Sequence, residues 1–317
     1  MNLPKIHSIT KKICVALVGG FLLLFLLFHM TANLFVLRHD DGAWYSAFCH
    51  FMGTNWIVKV FEVMLLGVLA LHILLTLWLV VTNRLARPVR YHEAQRSKTH
   101  TSSKLMAYTG VLIFAFLVMH FCQFWFVKVG WVKGEYMVER ERIETETVKL
   151  LSQSAGQYGM SADDFLDAME EQMGAYMDEL PPDQQAEMAR EMEEMRAAAP
   201  VAALMAPENL SADGKWVRHI DYATRNMLKE KYPGCGVEPD FYFMVRQLFR
   251  NPLMVLLYLI TFVALFLHMR HAFPSAFQTL GLNNYRYNGI IEWCGRIYTW
   301  LICLGFALVP VLVLLGV

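Results

Sequence analysis

Residues 251–282 read NPLMVLLYLITFVALFLHMRHAFPSAFQTLGL. From Leu253 to Met269 this stretch holds no Asp, Glu, Lys or Arg, and one histidine, His268, stands near its end. A bilayer core of ~30 Å is crossed by roughly 20 apolar residues in helical form. Similar runs occur at about 13–37, 56–82, 105–127 and 297–317, which makes five with 253–269. Backbone N–H and C=O groups in lipid find no water, so each run must close its hydrogen bonds internally as a helix. Any one run alone also suits the core of a soluble domain. Five in a chain that is 56% hydrophobic and 18% charged point to an all-α integral membrane protein, a bundle of five transmembrane helices. The basic segment Met1–Lys12 precedes the run 13–37. That run exceeds the ~7–15 apolar residues of a cleaved signal peptide, and no small-residue cleavage site follows it. It is expected to remain as the first span.

The formal net charge is zero, but the charges are segregated. Of 28 acidic residues, 23 lie between Glu135 and Asp240. The segment 83–104 sets Arg84, Arg87, Arg90, Arg96, Lys98 and Lys104 against Glu93 alone, and the amino end adds Lys5, Lys11 and Lys12. Short positively charged loops stay in the cytoplasm, so the amino end and the loop between spans two and three are expected inside. The acidic insert between spans three and four is then outside, and Arg270 and Arg286 are again inside. The chain divides into spans one to three (1–130), a helical extracytoplasmic insert (131–245), and spans four and five (246–317). Within the insert, Ser161 with Asp164 has the spacing of a capping box. Pro181-Pro182 opens a further helix running to about Ala199, giving two or three short helices in all. Its acidity suits a solvated face or a docking surface. The six cysteines form no CxxC pair and give no metal or disulfide framework.

Of 11 histidines, His7, His39, His50, His92, His100 and His219 lie in polar or interfacial segments, whereas His29, His72, His120 and His268 each lie in a different span. A lone intramembrane histidine often just bonds a neighbouring helix, yet ionisable groups in the bilayer are costly and mark function. Depth makes the set informative. His29 follows Ile13 by 16 residues and His120 follows Leu105 by 15, so both stand ~22–24 Å from the inner entry. His72 follows Trp56 by 16 and His268 follows Leu253 by 15, but these spans run the other way. Two levels ~15 Å apart result, with His29 and His120 at the outer one and His72 and His268 at the inner. Facing imidazoles on neighbouring helices are what bis-histidine ligation of haem iron requires. Gly19, Gly20, Gly67 and Gly110 would let a flat macrocycle approach the backbone, or serve helix packing. Arg87, Arg90 and Lys104 near the inner boundary are candidate partners for haem propionates, or only enforce topology.

Four stretches carry a family resemblance: FHMTANLF (28–35), LHILLTLW followed by NRLARPVRY (71–78, 83–91), Tyr108-Thr109-Gly110 with MHFCQFW (119–125), and the stretch 251–282. Together they resemble the dihaem cytochrome b subunit that anchors succinate dehydrogenase and fumarate reductase. The cytochrome b of quinol–cytochrome c reductases differs, carrying its ligands in pairs on two helices. The resemblance implies two haem b groups, one on His29 and His120 and one on His72 and His268, with His271 as the rival of His268. It implies a flavoprotein with FAD and an iron–sulfur subunit with its clusters as partners, a membrane quinone, usually menaquinone, as substrate, and a bacterial cytoplasmic membrane as location. No nucleic-acid partner is expected. The chain itself has neither a Rossmann glycine fingerprint nor a cysteine cluster motif for the dicarboxylate chemistry. Two features depart from the family: the long acidic insert, and Phe266 where some members place a proton-carrying glutamate. An anchor of a different quinone-linked dehydrogenase is the next reading, and a histidine-using transporter the third. Glu62, the one carboxylate within a span, lies 10 residues outward of His72, ~15 Å along the axis. It is the candidate for quinone proton transfer, with an ion pair to Lys59 as the alternative. Trp56 could line the same pocket or merely sit at the interface.

Overall fold

The structure, a computed structural model, describes residues 8–85, 101–181, 184, 185, 188, 190 and 204–316. Backbone proximity divides the chain into two units, residues 1–123 with 245–317 and residues 124–244. The first unit opens with α1 (Ser8–Leu34) and a 3-10 turn at Phe35–Leu37, then α2 (Ala43–Thr54), α3 (Trp56–Leu85) and α4 (Thr101–His120). α2 is too short to span and too mixed in character to register as an apolar run. Gly42, with φ +74°, turns the chain into it. α4 passes directly into a π-helical turn at Phe121–Trp125.

The second unit contains α5 (Phe126–Val129), β1 (Tyr136–Glu139), α6 (Arg140–Gln157), α7 (Ala162–Glu179), β2 (Trp216–Ile220), α8 (Tyr222–Lys231) and β3 (Glu238–Pro239). The unit boundary falls within α9 (Phe241–Phe249). The three strands form an antiparallel sheet in the order β2-β1-β3, with Tyr136 opposite Ile220 and Pro239, and a register shift before Val138. This corrects the expectation of a purely helical insert. The strands are two to five residues long, and Tyr136, Met137 and Val138 are all buried, so no apolar–polar alternation betrays them. The sheet packs with Val127, Ile143, Leu204, Leu228, Cys235 and Val237 into one core. Arg218 donates from Nε to Asp240 Oδ2 at 2.7 Å and from Nη2 to Oδ1 at 2.9 Å, both side chains buried. The N-cap half of the expected capping box is present: Ser161 Oγ accepts from the Asp164 backbone N–H at 3.1 Å, while Asp164 Oδ2 accepts from the Ser161 hydroxyl at 2.7 Å. The helix expected to open at Pro181-Pro182 lies mostly outside the described residues.

Helices α10 (Pro252–Thr279) and α11 (Asn288–Leu314) complete the first unit. Asn251 caps α10, its side chain accepting from Leu253 N–H at 2.9 Å, with Pro252 in the first turn, where its missing N–H costs nothing. α10 extends past the run 253–269 to Thr279, carrying Arg270, His271 and Pro274 in the same helix. α11 begins at Asn288 instead of 297, because Glu292 and Arg296 dilute the hydropathy of its first turns without breaking them. Five helices are long and apolar enough to cross a membrane: Ile9–Leu37, Trp56–Thr82, Leu105–Val129, Pro252–Thr279 and Asn288–Leu314. They are apolar all round yet little buried by protein. No residue in the most apolar 18-residue window of α3 is buried, against 39% in that of α11. Leu24, Val63 and Val111 are more than two-thirds exposed, a surface that lipid covers and water does not favour. The closest packing is of α10 on α11 and α4, and of α1 on α10, α11 and α3. Met30, Met269 and Ile302 are buried at its centre, and Tyr298 Oη donates to the Leu23 carbonyl.

Candidate functional site

The four intramembrane histidines lie on four helices: His29 on α1, His72 on α3, His120 at the end of α4 and His268 on α10. The rings of His29 and His120 face each other with centroids 6.0 Å apart and planes at 83°. Two imidazoles bound through nitrogen to one metal at roughly 2 Å each place their centroids about 6 Å apart. Each ring is backed by the phenylalanine one helical turn earlier: Phe25 stacks on His29 at 5.2 Å and Phe116 on His120 at 5.5 Å. Phe306 borders His29 at 5.7 Å. The Asn33 amide donates to the His29 carbonyl at 2.7 Å and lies 3.4 Å from Nδ1. Tyr45 of α2 donates to Asn33 Oδ1 at 3.4 Å. Burial, with the neighbouring Cys49 adding to it, pushes the Tyr45 phenol well above its ordinary range, so it stays a neutral donor.

The second pair has a different surround. His268 lies within electrostatic reach of His72 and of His271, and its Nδ1 meets Thr109 Oγ1 at 3.3 Å. Two glycines face these rings. A Cβ on Gly19 would stand 3.8 Å from His72 Cε1, and one on Gly110 3.8 Å from His268 Cε1. Gly20 and Gly67 face open space instead. His72 Nδ1 is buried and has no hydrogen-bond partner among the described residues. Buried polar atoms are normally satisfied, and this nitrogen is an exception among the described residues.

Each pair is drawn across the bundle, α1 with α4 and α3 with α10, and neither is among the closest packing partners. The His29 and His120 rings therefore meet across an inter-helical space. Among the described residues no three His, Cys, Asp or Glu side chains converge as a metal-ion site. Two imidazoles fall short of the four donors a bare ion such as zinc takes. They suffice for an iron whose other donors a macrocycle would supply, and the donor set and the 6.0 Å spacing fit a haem.

Glu62 is half-buried on α3, ten residues before His72. Arg87 and Arg90 lie outside the described residues, as does the Lys104 side chain. Phe266 packs on Trp300 with centroids 4.7 Å apart. The sequence reading passed over Tyr258 and gave Thr109 and Gln123 no individual role, although all three touch the site. Helix arithmetic would have found two of them. Tyr258 precedes His268 by 10 residues, ~15 Å, which is the level of His120. Thr109 precedes His120 by 11, which is the level of His268. Comparison with family models, with curated proteins and with solved structures gives no match, so what the site does follows from its geometry.

Proposed function

We propose that this chain is the dihaem cytochrome b subunit that anchors a succinate dehydrogenase or fumarate reductase complex in a bacterial cytoplasmic membrane. It passes electrons between the iron–sulfur subunit and a membrane quinone, menaquinone. The observation that carries this reading is the His29–His120 couple, its ring centroids 6.0 Å apart across the bundle, with His72 and His268 on the two other histidine-bearing helices. Haem, when bound, supplies reversible one-electron chemistry at two levels of the membrane. The protein does the rest. His29 with His120, and His72 with His268, would hold the haem iron, while Phe25 and Phe116 restrict rotation of the His29 and His120 rings. Gly19 and Gly110 keep the backbone beside the second pair free of side chains. Arg87, Arg90 and Lys104 neutralise propionates at the inner boundary, and the Glu62 carboxylate gives or takes the quinone proton near the outer haem. The amino end lies inside and the acidic insert outside, as basic-loop asymmetry favours. FAD and iron–sulfur clusters belong to the partner subunits, and succinate or fumarate never meets this chain.

Substituting the histidines singly and in pairs tests the reading. His29→Ala, His120→Ala and the double variant within that pair should each leave one haem per chain. The cross-pair double His29→Ala with His72→Ala should leave none. A cross-pair double that keeps a haem at full occupancy contradicts the assignment. Glu62→Gln should slow quinol turnover and alter its pH profile while haem content is unchanged. Unaltered turnover and profile remove Glu62 from the mechanism.

A further inference from the structure

Helices α4 and α10 are linked twice, reciprocally, at the two histidine levels. His120 of α4 meets a hydroxyl of α10, with Nδ1 3.4 Å from Tyr258 Oη. His268 of α10 meets a hydroxyl of α4, with Nδ1 3.3 Å from Thr109 Oγ1. Which atom gives the proton in each contact decides which ring nitrogen is left with a lone pair, because neutral imidazole has one N–H and one acceptor nitrogen.

At His120 the direction is set by a chain of groups. The Met254 thioether accepts and cannot donate. Gln123 Nε2 points at Met254 Sδ, 3.9 Å away, so Gln123 Oε1 faces the other way. It accepts from Tyr258 Oη at 2.6 Å, a contact far shorter than the tyrosine makes with the histidine. The one phenolic proton is thus committed to Gln123, and Tyr258 turns an oxygen lone pair to His120 Nδ1. The ring must donate there, which leaves Nε2 as its acceptor. The π-helical turn Phe121–Trp125 holds Gln123 and follows His120 directly, so the widened turn sets where the amide stands relative to the ring; such turns recur at functional sites. Tyr258 is only 4% exposed and is wedged edge-on between Phe116 at 4.9 Å and Phe249 at 4.8 Å.

At His268 the same result has a simpler cause. The Thr109 hydroxyl donates back to its own helix, with the Leu105 and Met106 carbonyls each at 3.1 Å. Its proton is occupied, so Thr109 accepts from His268 Nδ1–H, and Nε2 is left as the acceptor nitrogen of that ring.

Resting on the dihaem reading, we propose that Tyr258 and Thr109 are positioning residues. Each is the fixed acceptor for the Nδ1–H of a histidine on the opposite helix, so that His120 and His268 both present Nε2 to haem iron. Such outer partners orient a ligating histidine and raise its basicity, which favours the ferric state. The test is a redox titration of the visible spectrum of the full-length chain, purified with its haems, in wild type, Tyr258→Phe and Thr109→Val. Each variant should raise the midpoint of one haem component and leave the other in place, and the component moved should differ between the two. The haem on the affected side should also be held roughly 10- to 100-fold less tightly. Thr109→Ser, which keeps the hydroxyl, should restore the wild-type midpoint. Should Tyr258→Phe fail to fold, Gln123→Leu frees the phenolic proton with the tyrosine in place and should move the same component. Wild-type midpoints in haem-loaded variants, or both variants moving one component, overturn this inference alone. A wild-type chain that takes up no haem overturns the reading beneath it as well.

Discussion

At the scale of single residues, helix geometry turns residue counts into depth, which is how the four candidate histidines stand out in the sequence. The intervals from each span's entry sort four rings into two levels, and the His29–His120 contact at 6.0 Å falls within one level. The groups that hold those rings were less legible, because a contact such as Thr109 with His268 depends on the rotation of two helices as well as on depth. The second unit adds a residue that no pattern revealed. Asp240 is fully buried, bridges to Arg218 through both oxygens, and accepts from the Phe243 N–H at 3.0 Å. Removing one partner of a buried pair leaves the other charge uncompensated and costs about 3–5 kcal/mol. Asp240→Leu should therefore speed proteolysis of segment 124–244 sharply, and adding Arg218→Met should recover much of the loss. Protection equal to wild type in the single variant would mean that the pair contributes little. Gly130 has φ +81°, and a Cβ there would collide with the Arg225 guanidinium. Gly130→Ala is expected to destabilise the same unit by more than about 1 kcal/mol, read by amide exchange across β1 and α8.

At the scale of elements, long apolar helices were readable and short buried strands were not. Hydropathy located five spans but cut α10 and α11 short, since Arg270 and His271 in one and Glu292 and Arg296 in the other are polar residues tolerated near helix ends. The strand β1 offers four residues, three of them buried in succession, and no period can be read from that. Capping signals did better, as the Ser161 cap shows. α8 has a cap of the same kind in Asp221, whose side chain accepts from the Thr224 N–H at 2.7 Å. Hydrogen bonds from Thr224, hydroxyl first and backbone N–H second, hold the Asp221 carboxyl below its usual range. A depressed carboxyl contributes stability above its unfolded pKa, about 3.9, and that contribution is lost as pH falls through the folded value. Amide exchange at the start of α8 should accordingly quicken as pH drops below about 4, beyond the intrinsic pH trend. In Asp221→Asn the extra pH dependence should vanish, and Asp221→Ala should cost about 1 kcal/mol at neutral pH. Equal pH dependence in wild type and Asp221→Asn would assign the cap no titrating role.

At the scale of the whole molecule, the proposed arrangement is an odd number of crossings with the basic loops on one side and the acidic unit on the other. Protease added outside spheroplasts should cut within 124–244 and spare an amino-terminal tag, which should become accessible only in inverted vesicles. Cleavage of both from one side contradicts the topology. The charge asymmetry that sets this expectation was plain in the sequence, where 23 of 28 carboxylates fall in one segment. The partner subunits that the proposed function implies are not legible in the same way, and the basic segment 86–100 lies outside the described residues. The central claim is that two histidine pairs hold two haems, and one measurement bears on it most directly. The reduced-minus-oxidised visible spectrum of the purified chain should show b-type haem at two per polypeptide. A folded chain, supplied with haem during expression, that remains colourless contradicts the claim outright.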